Sequence, residues 1–216
     1  MSKKYEIFLF DLDGTITDSA LGITNSVMYA LKKFGIEETD RTKLYKFIGP
    51  PLTESFEKFY GFTKEQSVDG VKYYREYYHD KGIYENRVYD GLEEVLKKIN
   101  EAGKQAIVAT SKPEEYAKVI IDHFHLTQYF ACVAGMEMDG GRGTKAQVIT
   151  YALEKNDITD KSNVLMIGDR EHDVIGAHEN GLDCLGILYG FGSRKEFEEA
   201  GADYIRENVE DILQFV

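Results

Sequence analysis

Residues 7–15 read Ile-Phe-Leu-Phe-Asp-Leu-Asp-Gly-Thr, which is the most informative stretch of the chain. The four apolar residues form a continuous run, typical of a strand that is buried on both faces of a parallel sheet. Asp11 and Asp13 follow where the strand becomes a loop, and their spacing lets both carboxylates face one pocket. Gly14 allows a sharp turn in which backbone N–H groups can point at an anion. The stretch therefore predicts a ligand site at the end of the first strand.

Four later apolar runs are similar to the first, and helical segments separate them. The runs lie at 105–110, 132–134, 164–167 and 184–188. Asp90 and Glu93 form a capping-box pair that predicts a helix start, and Pro113 suits the first turn of another helix. Strands that alternate with helices in this way predict a doubly wound α/β fold, in which helices cover both faces of a parallel sheet.

Segment 17–87 interrupts this alternation, because it shows helical periodicity and no convincing strand. Ala20, Ile23, Val27 and Leu31, for example, share one face of a helix. The segment carries 11 Lys and Arg against 11 Asp and Glu, whereas the rest of the chain carries 15 against 27. We therefore predict an all-helical cap domain at 17–87, inserted into an acidic α/β core that consists of 1–16 and 88–216.

Three further groups of polar residues stand at the ends of predicted strands. Thr110 and Ser111 precede a helix, whose N-terminal N–H groups and dipole favour an anion. Lys145 lies in a first helical turn, where its charge is unfavourable unless an anion or a carboxylate answers it. Asp169 and Asp173 can share one helical face, and their mutual repulsion favours a bound cation. Open α/β sheets bind ligands at the carboxyl ends of their strands, so these groups predict one cleft for an anion and a metal ion.

Together these motifs make the chain resemble the haloacid dehalogenase superfamily. The shared order is Asp11-x-Asp13-Gly-Thr, then Thr110, then Lys145, then Gly-Asp169-x-x-x-Asp173. The helical insertion after the first motif is similar to the subclass with an α-helical cap. Within that subclass the chain resembles the phosphoglycolate phosphatase-like branch, some members of which are 5′-nucleotidases. The resemblance covers essentially the whole chain, and Asp13 is typical of the phosphoryl-transfer members.

The resemblance implies a Mg²⁺-dependent phosphatase that works through an aspartyl-phosphate intermediate. Asp11 would be the nucleophile, and Asp13 would protonate the leaving alkoxide and then activate the hydrolytic water. The implied metal ligands are Asp11, the backbone carbonyl of Asp13, Asp169 and Asp173, where Asp173 acts directly, through water, or instead by orienting Lys145. The implied phosphate-binding groups are Lys145, Thr110 and backbone N–H groups around Leu12, Asp13 and Ser111.

The cap would exclude water and recognise the leaving group, according to the same resemblance. Its stiffest piece is the loop Gly49-Pro50-Pro51, which holds two of the three prolines and is either a substrate loop or a rigid helix connector. We expect 2-phosphoglycolate as the substrate, with nucleoside 5′-monophosphates as the alternative. A phosphomutase of the β-phosphoglucomutase kind and a pyrophosphatase are further alternatives.

The composition restricts the partners and the location. A formal net charge of −12 argues against sequence-independent binding to a nucleic acid polymer. No apolar run approaches the roughly 18 residues of a membrane span. No signal-peptide pattern is present, and 2 cysteines are too few for a disulfide framework. We therefore expect a cytoplasmic protein, a monomer or weak homodimer, whose partner is a small phosphorylated metabolite.

Overall fold

The structure is a computed structural model that describes residues 3–138 and 141–216. Its strands are β1 (Ile7–Phe10), β2 (Thr17–Asp18), β3 (Arg87–Val88), β4 (Gln105–Pro113), β5 (Val133–Met136), β6 (Val164–Gly168), β7 (Asp183–Ile187) and β8 (Tyr204–Arg206). Its α-helices are α1 (Ala20–Lys33), α2 (Leu52–Tyr60), α3 (Lys64–Tyr77), α4 (Leu92–Glu101), α5 (Glu114–His123), α6 (Lys145–Lys155), α7 (Glu171–Glu179) and α8 (Arg194–Ala200). Short 3₁₀ segments cover Arg41–Phe47, Thr127–Tyr129, Lys161–Asn163 and Val209–Phe215, and a π-helical turn covers Tyr78–Gly82.

Six strands form one parallel sheet in the order β5-β4-β1-β6-β7-β8. The central strand β1 pairs with β4 on one side and with β6 on the other. Phe10, the last residue of β1, is level with Val108 in β4 and with Ile167 in β6. The loop after β1 therefore begins beside the end of β6, while the neighbouring strand β4 continues past this level to Pro113. The predicted fold class, a doubly wound parallel α/β sheet, is confirmed.

The apolar runs are continuous because both faces of the sheet are covered. Leu9 contributes to a buried cluster that includes Val148 of α6 and Val174 of α7. Successive side chains of a strand point to opposite faces, so Phe8 and Phe10 lie on the other side of the sheet from Leu9. Phe8, Leu9 and Phe10 are all fully buried, and Ile7 at the start of β1 is half-buried. This central strand is therefore a rigid base for the loop that follows it.

Three local predictions differ from the structure. Strand β8 was not among the predicted runs; it has only three residues, all half-buried, so its apolar pattern is weak. Two-residue strands β2 and β3 pair with each other at the borders of the segment for which no strand was predicted. The capping box of Asp90 and Glu93 is wrong: α4 begins after Gly91, whose left-handed backbone (φ +83°) turns the chain into the helix without a side-chain cap.

The chain forms two compact units. The first takes in the chain up to Thr17 and again from Val88 to Val216, and the second is Asp18–Arg87. Within the second unit α3 packs against α1 and α2. Aromatic rings fill much of its interior; Phe56 stacks on Phe62 at 5.4 Å and lies edge-on to Phe47 at 5.1 Å between ring centroids. Aromatic pairs of this kind bury large apolar areas, which gives a unit of this size its own core.

In the described part of the chain, no helix combines the length and the apolarity that a membrane crossing requires. Both cysteines are free thiols, Cys184 in the core and Cys132 half-buried.

Candidate active site

The loop after β1 positions two carboxylates through a tight turn. The carbonyl of Leu12 accepts hydrogen bonds from the backbone N–H groups of Ile16 and Thr17, each at 2.9 Å. Gly14 has a φ of +84°, and a Cβ at this position would overlap the carboxylate of Asp169. Glycine is therefore required here by the backbone conformation and by space. The turn brings the end of β1 directly against the end of β6.

Three buried carboxylates meet at this edge of the sheet. One oxygen each of Asp11, Asp169 and Asp173 lies within 4.8 Å of the other two, and all three residues are buried. Asp11 follows β1, Asp169 follows β6, and Asp173 lies in the first turn of α7. Thus the structure brings together the sequence-predicted metal ligands from two separate motifs.

Lys145 lies between two of these carboxylates. Its Nζ is 2.9 Å from Oδ1 of Asp11 and 2.7 Å from Oδ1 of Asp173, and it donates a hydrogen bond to the carbonyl of Ala109 at 3.0 Å. The residue opens α6, whose N-cap is the hydroxyl of Thr144. The two carboxylates compensate the positive charge of Lys145, which the helix dipole disfavours at this position. Asp173 is thus in direct contact with Lys145 and also belongs to the group of three carboxylates.

The electrostatic balance of the group is negative. Three carboxylates and one ammonium give a formal charge of −2 in a buried volume. Burial raises the pKa of Asp169 well above its usual range, and the charges of Asp173 and Asp11 raise it further. Burial also raises the pKa of Asp173, against the opposing effect of Lys145. Burial alone would lower the pKa of Lys145, but Asp11 and Asp173 outweigh it and the pKa is raised.

The donor set of this group suits a hard divalent cation. Oδ2 of Asp169 accepts a hydrogen bond from the backbone N–H of Phe191 at 2.8 Å. Its Oδ1 is buried and has no hydrogen-bond partner among the described residues. An acceptor of this kind is costly in a folded protein unless a cation or water satisfies it. Carboxylate oxygens with a formal charge of −2 therefore match Mg²⁺, which prefers oxygen ligands and retains several waters.

Asp13 lies beside this group and forms an ion pair with Lys112. Nζ of Lys112 is 2.6 Å from Oδ2 of Asp13, and the exposed fractions of the two side chains are 5% and 13%. Thr110, which lies within β4 three residues before its end, is buried, and its Oγ1 accepts a hydrogen bond from the backbone N–H of Lys112 at 3.2 Å. Ser111 between them is half-buried. Sequence reasoning gave Lys112 no role, although it directly follows Ser111 in the sequence.

A second loop, to which sequence reasoning gave no role in the site, contacts the loop after β1 and Asp169. After β7, the hydroxyl of Tyr189 donates to the carbonyl of Thr15 at 3.0 Å. A Cβ on Gly190 would overlap Asp169 and the carbonyl of Gly14. Phe191 supplies the N–H that holds Asp169. The available signal was the glycine spacing in Tyr-Gly-Phe-Gly-Ser, because glycines cluster where two backbones approach closely.

The predicted cap loop belongs to the second unit. Gly49 has a φ of +103°, and Pro51 directly precedes α2 as its N-cap. The loop therefore ends directly before Leu52, the first residue of α2. Its role in substrate recognition stays a prediction.

Comparison with known proteins identifies the family. The model of the haloacid dehalogenase-like hydrolases matches residues 8–187. The chain belongs to this family, as its motifs indicated. The names of its relatives show that it is a phosphatase-type hydrolase.

A 5′-nucleotidase of Pseudomonas aeruginosa is 45% identical over 193 residues, which are 89% of this chain and 87% of the relative. A crystal structure described as a predicted phosphatase from Clostridium acetobutylicum is 47% identical, covers 98% of each chain and superposes with a TM-score of 0.94. The tyrosine-protein kinase PtkA of Mycobacterium tuberculosis is 35% identical over 87% of this chain, which spans only 63% of that relative. The predictions of a haloacid dehalogenase-like fold and of phosphatase activity are thereby confirmed.

Proposed function

We propose that the protein is a Mg²⁺-dependent phosphomonoester hydrolase that acts on a small phosphorylated metabolite through an aspartyl-phosphate on Asp11. The observation that carries the proposal is the buried group of Asp11, Asp169 and Asp173, whose charge Lys145 only partly balances. A group of this kind is suited to hold a cation and, with it, an anion. The family assignment supports phosphorus as the centre of the reaction.

The metal ion would be held by Asp11, Asp169 and the backbone carbonyl of Asp13. Asp173 would orient Lys145 by direct contact. When bound, Mg²⁺ supplies charge that lowers the repulsion between a carboxylate nucleophile and a phosphate dianion. The side chains fit this assignment because Oδ1 of Asp169 is buried without a hydrogen-bond partner in the described part of the chain.

Asp11 and Asp13 have different roles in the proposed reaction. An oxygen of Asp11 forms a bond to phosphorus while the bond from phosphorus to the leaving oxygen breaks, and Asp13 gives that oxygen its proton. Water then attacks phosphorus, Asp13 takes the water's proton, and release of phosphate regenerates Asp11. Lys145 and Thr110, with backbone N–H groups around Leu12, Asp13 and Ser111, stabilise the phosphoryl oxygens, most strongly in the transition state.

The favoured substrate class is a nucleoside 5′-monophosphate. The relative that is 45% identical over 89% of this chain is named a 5′-nucleotidase. This similarity reverses the order expected from the sequence alone, in which 2-phosphoglycolate came first. We keep 2-phosphoglycolate as the second candidate, because the motifs are shared with the phosphoglycolate phosphatase-like branch. The loop Gly49–Pro51 and the rest of the cap are proposed to recognise the part of the substrate beyond the phosphate.

A phosphate-release screen tests the proposal. Purified protein with Mg²⁺ is assayed for kcat/KM on nucleoside 5′-monophosphates, 2-phosphoglycolate, sugar phosphates and pyrophosphate, with the Asp11→Asn variant prepared in parallel as the control. We expect release from a nucleoside 5′-monophosphate to exceed all others and to vanish in the variant. Equal release by wild type and Asp11→Asn on every substrate would refute the proposal.

The same screen separates the alternatives. A requirement for a bisphosphate activator would indicate a phosphomutase, and preference for pyrophosphate would indicate a pyrophosphatase. An additional arm with ATP and a tyrosine peptide addresses the relative named a kinase; we expect no transfer, because the site as proposed uses water as its acceptor. A cytoplasmic location and a monomeric or weakly dimeric state stay predictions from the sequence.

A further inference from the structure

Lys112 is buried to an extent that is unusual for lysine. Only 5% of its side chain is exposed, and its ammonium lies on one carboxylate oxygen, Oδ2 of Asp13, at 2.6 Å. Burial of an ammonium costs hydration free energy, so lysine is seldom buried without a charged partner. The chain therefore keeps a buried lysine paired with the residue proposed as the acid and base of the reaction.

The backbone around Lys112 is irregular. The register between β4 and β5 shifts between Thr110 and Pro113. Within the shifted stretch the backbone N–H of Lys112 bonds to the hydroxyl of Thr110 rather than continuing a regular ladder. Irregularities of this kind at sheet edges redirect side chains and are frequent next to active sites. Here the result is that a side chain from β4 reaches the loop after β1.

The two oxygens of the Asp13 carboxylate are in different environments. Oδ2 carries the contact with Lys112. Oδ1 is buried, and no described residue forms a hydrogen bond with it. A carboxylate held at one oxygen cannot rotate freely about its last torsion, so the orientation of the other oxygen is fixed as well. General acid–base catalysis depends on this orientation, because the proton moves only over hydrogen-bond distance.

We propose that Lys112 is a positioning residue for Asp13: it anchors Oδ2 and thereby reserves Oδ1 for proton exchange. The inference rests on the proposed function, since it assigns a partner to the acid and base of that reaction. In the first step the bond between Oδ1 and its proton breaks and the proton goes to the leaving alkoxide. In the second step Oδ1 takes a proton from water. Lys112 gives and takes no proton in either step.

The test of this proposal compares two substrates whose leaving groups differ in their need for a proton. We compare kcat/KM for p-nitrophenyl phosphate, whose leaving group needs little protonation, with that for an alkyl phosphate, whose leaving alkoxide needs a full proton. Loss of a general acid typically costs about 10²–10⁴-fold in rate, so a misoriented acid should cost part of this range. We expect Lys112→Met to lose about 10–100-fold on the alkyl phosphate and less than about 3-fold on p-nitrophenyl phosphate, mostly in kcat.

Two variants serve as controls for charge and for fold. Lys118→Met removes a lysine that makes an ion pair of the same length, 2.6 Å to Glu114, on an exposed surface where 56% of the side chain is accessible. We expect wild-type kinetics from it. Lys112→Arg keeps the charge and should recover part of the loss, because a guanidinium can still anchor Oδ2. Thermal melting of each variant shows whether it is folded.

A double variant shows whether Lys112 acts through Asp13. When Asp13→Asn has already removed the acid, adding Lys112→Met should change the alkyl phosphate rate by less than about 3-fold, because coupled residues are not additive. The double variant removes both charges, so it leaves no unpaired charge to prevent folding.

The outcomes separate this inference from the proposed function. An equal loss on both substrates would mean that Lys112 binds phosphate, and no loss at all would mean that it is structural; either result overturns the inference. If Asp13→Asn instead loses kcat/KM by the same factor on both substrates, or if Asp11→Asn stays active, the proposed function is refuted.

Discussion

Replacing Asp169 with asparagine should stabilise the metal-free protein while it abolishes the response to Mg²⁺. The side chain is fully buried, Oδ1 has no hydrogen-bond partner among the described residues, and two further carboxylates lie within 4.8 Å. A buried acceptor without a hydrogen-bond partner typically costs about 1–3 kcal/mol, and more when it is charged. The amide oxygen of asparagine can keep the hydrogen bond from Phe191, so the substitution removes the charge and little else. For a chain of this length we expect Tm to rise by about 2–4 °C for each kcal/mol gained.

The effect should depend on pH with a defined sign. Burial raises the pKa of Asp169 in the folded protein, so the penalty is absent below about pH 3.9, the usual pKa of aspartate, and grows as the pH rises above it. The Tm difference between variant and wild type in a chelating buffer should therefore be larger at pH 8 than at pH 5. Differential scanning calorimetry at both pH values, with and without Mg²⁺, measures each quantity.

Asp183→Asn is the matched control, because the same chemical change should have the opposite effect. Burial alone would raise the pKa of Asp183, but Lys3 and Tyr5 outweigh it and lower the pKa. Its ionised form therefore stabilises the fold above the usual aspartate pKa, and this stability is lost as the pH falls through the folded value. The control should lower Tm at neutral pH. A lower Tm for Asp169→Asn in the chelating buffer, or an undiminished Tm rise with Mg²⁺, would refute the reasoning.

Other changes test the remaining parts of the site. Lys145→Met should lower kcat by about 10²–10³-fold and the free energy of unfolding by about 3–5 kcal/mol. The reason is that two buried carboxylates lose the ammonium group that they share. Unchanged kinetics and unchanged urea denaturation would contradict this. Gly190→Ala should weaken Mg²⁺ binding, measured by isothermal titration calorimetry, because the added Cβ overlaps Asp169; wild-type affinity would contradict it. Pro50→Ala should change the ratio of kcat/KM between two substrates without changing Mg²⁺ affinity, and a uniform change would place specificity elsewhere.

The central part of the fold was predictable because it depends on continuous apolar runs. β1, for example, begins and ends where its run of four apolar residues does. β8 was not predictable from its own residues, since its three side chains are only half-buried and β7 provides its pairing partner. The start of α4 depends on the left-handed backbone of Gly91, which a search for side-chain caps does not detect.

The candidate site was predictable as a set of residues but not as a set of contacts. Spacing indicated that Asp169 and Asp173 share a face, yet it left open whether Asp173 serves the metal or Lys145. The contact of 2.7 Å between Asp173 and Lys145 depends on α6 and α7 packing together. Lys112 was missed for a similar reason: its partner Asp13 is 99 positions away, and the register shift in β4 has no sequence signature by itself.

The central claim is that Asp11 carries the phosphoryl group, and intact-mass spectrometry after rapid quench tests it most directly. Acetyl phosphate, whose leaving group needs no protonation, is mixed with each variant in the presence of Mg²⁺. Asp13→Asn keeps the nucleophile but lacks the base that activates water, so a species about 80 Da heavier from one phosphoryl group should accumulate. Asp11→Asn should show no such species. Equal labelling of the two variants would contradict the assignment of nucleophile and acid.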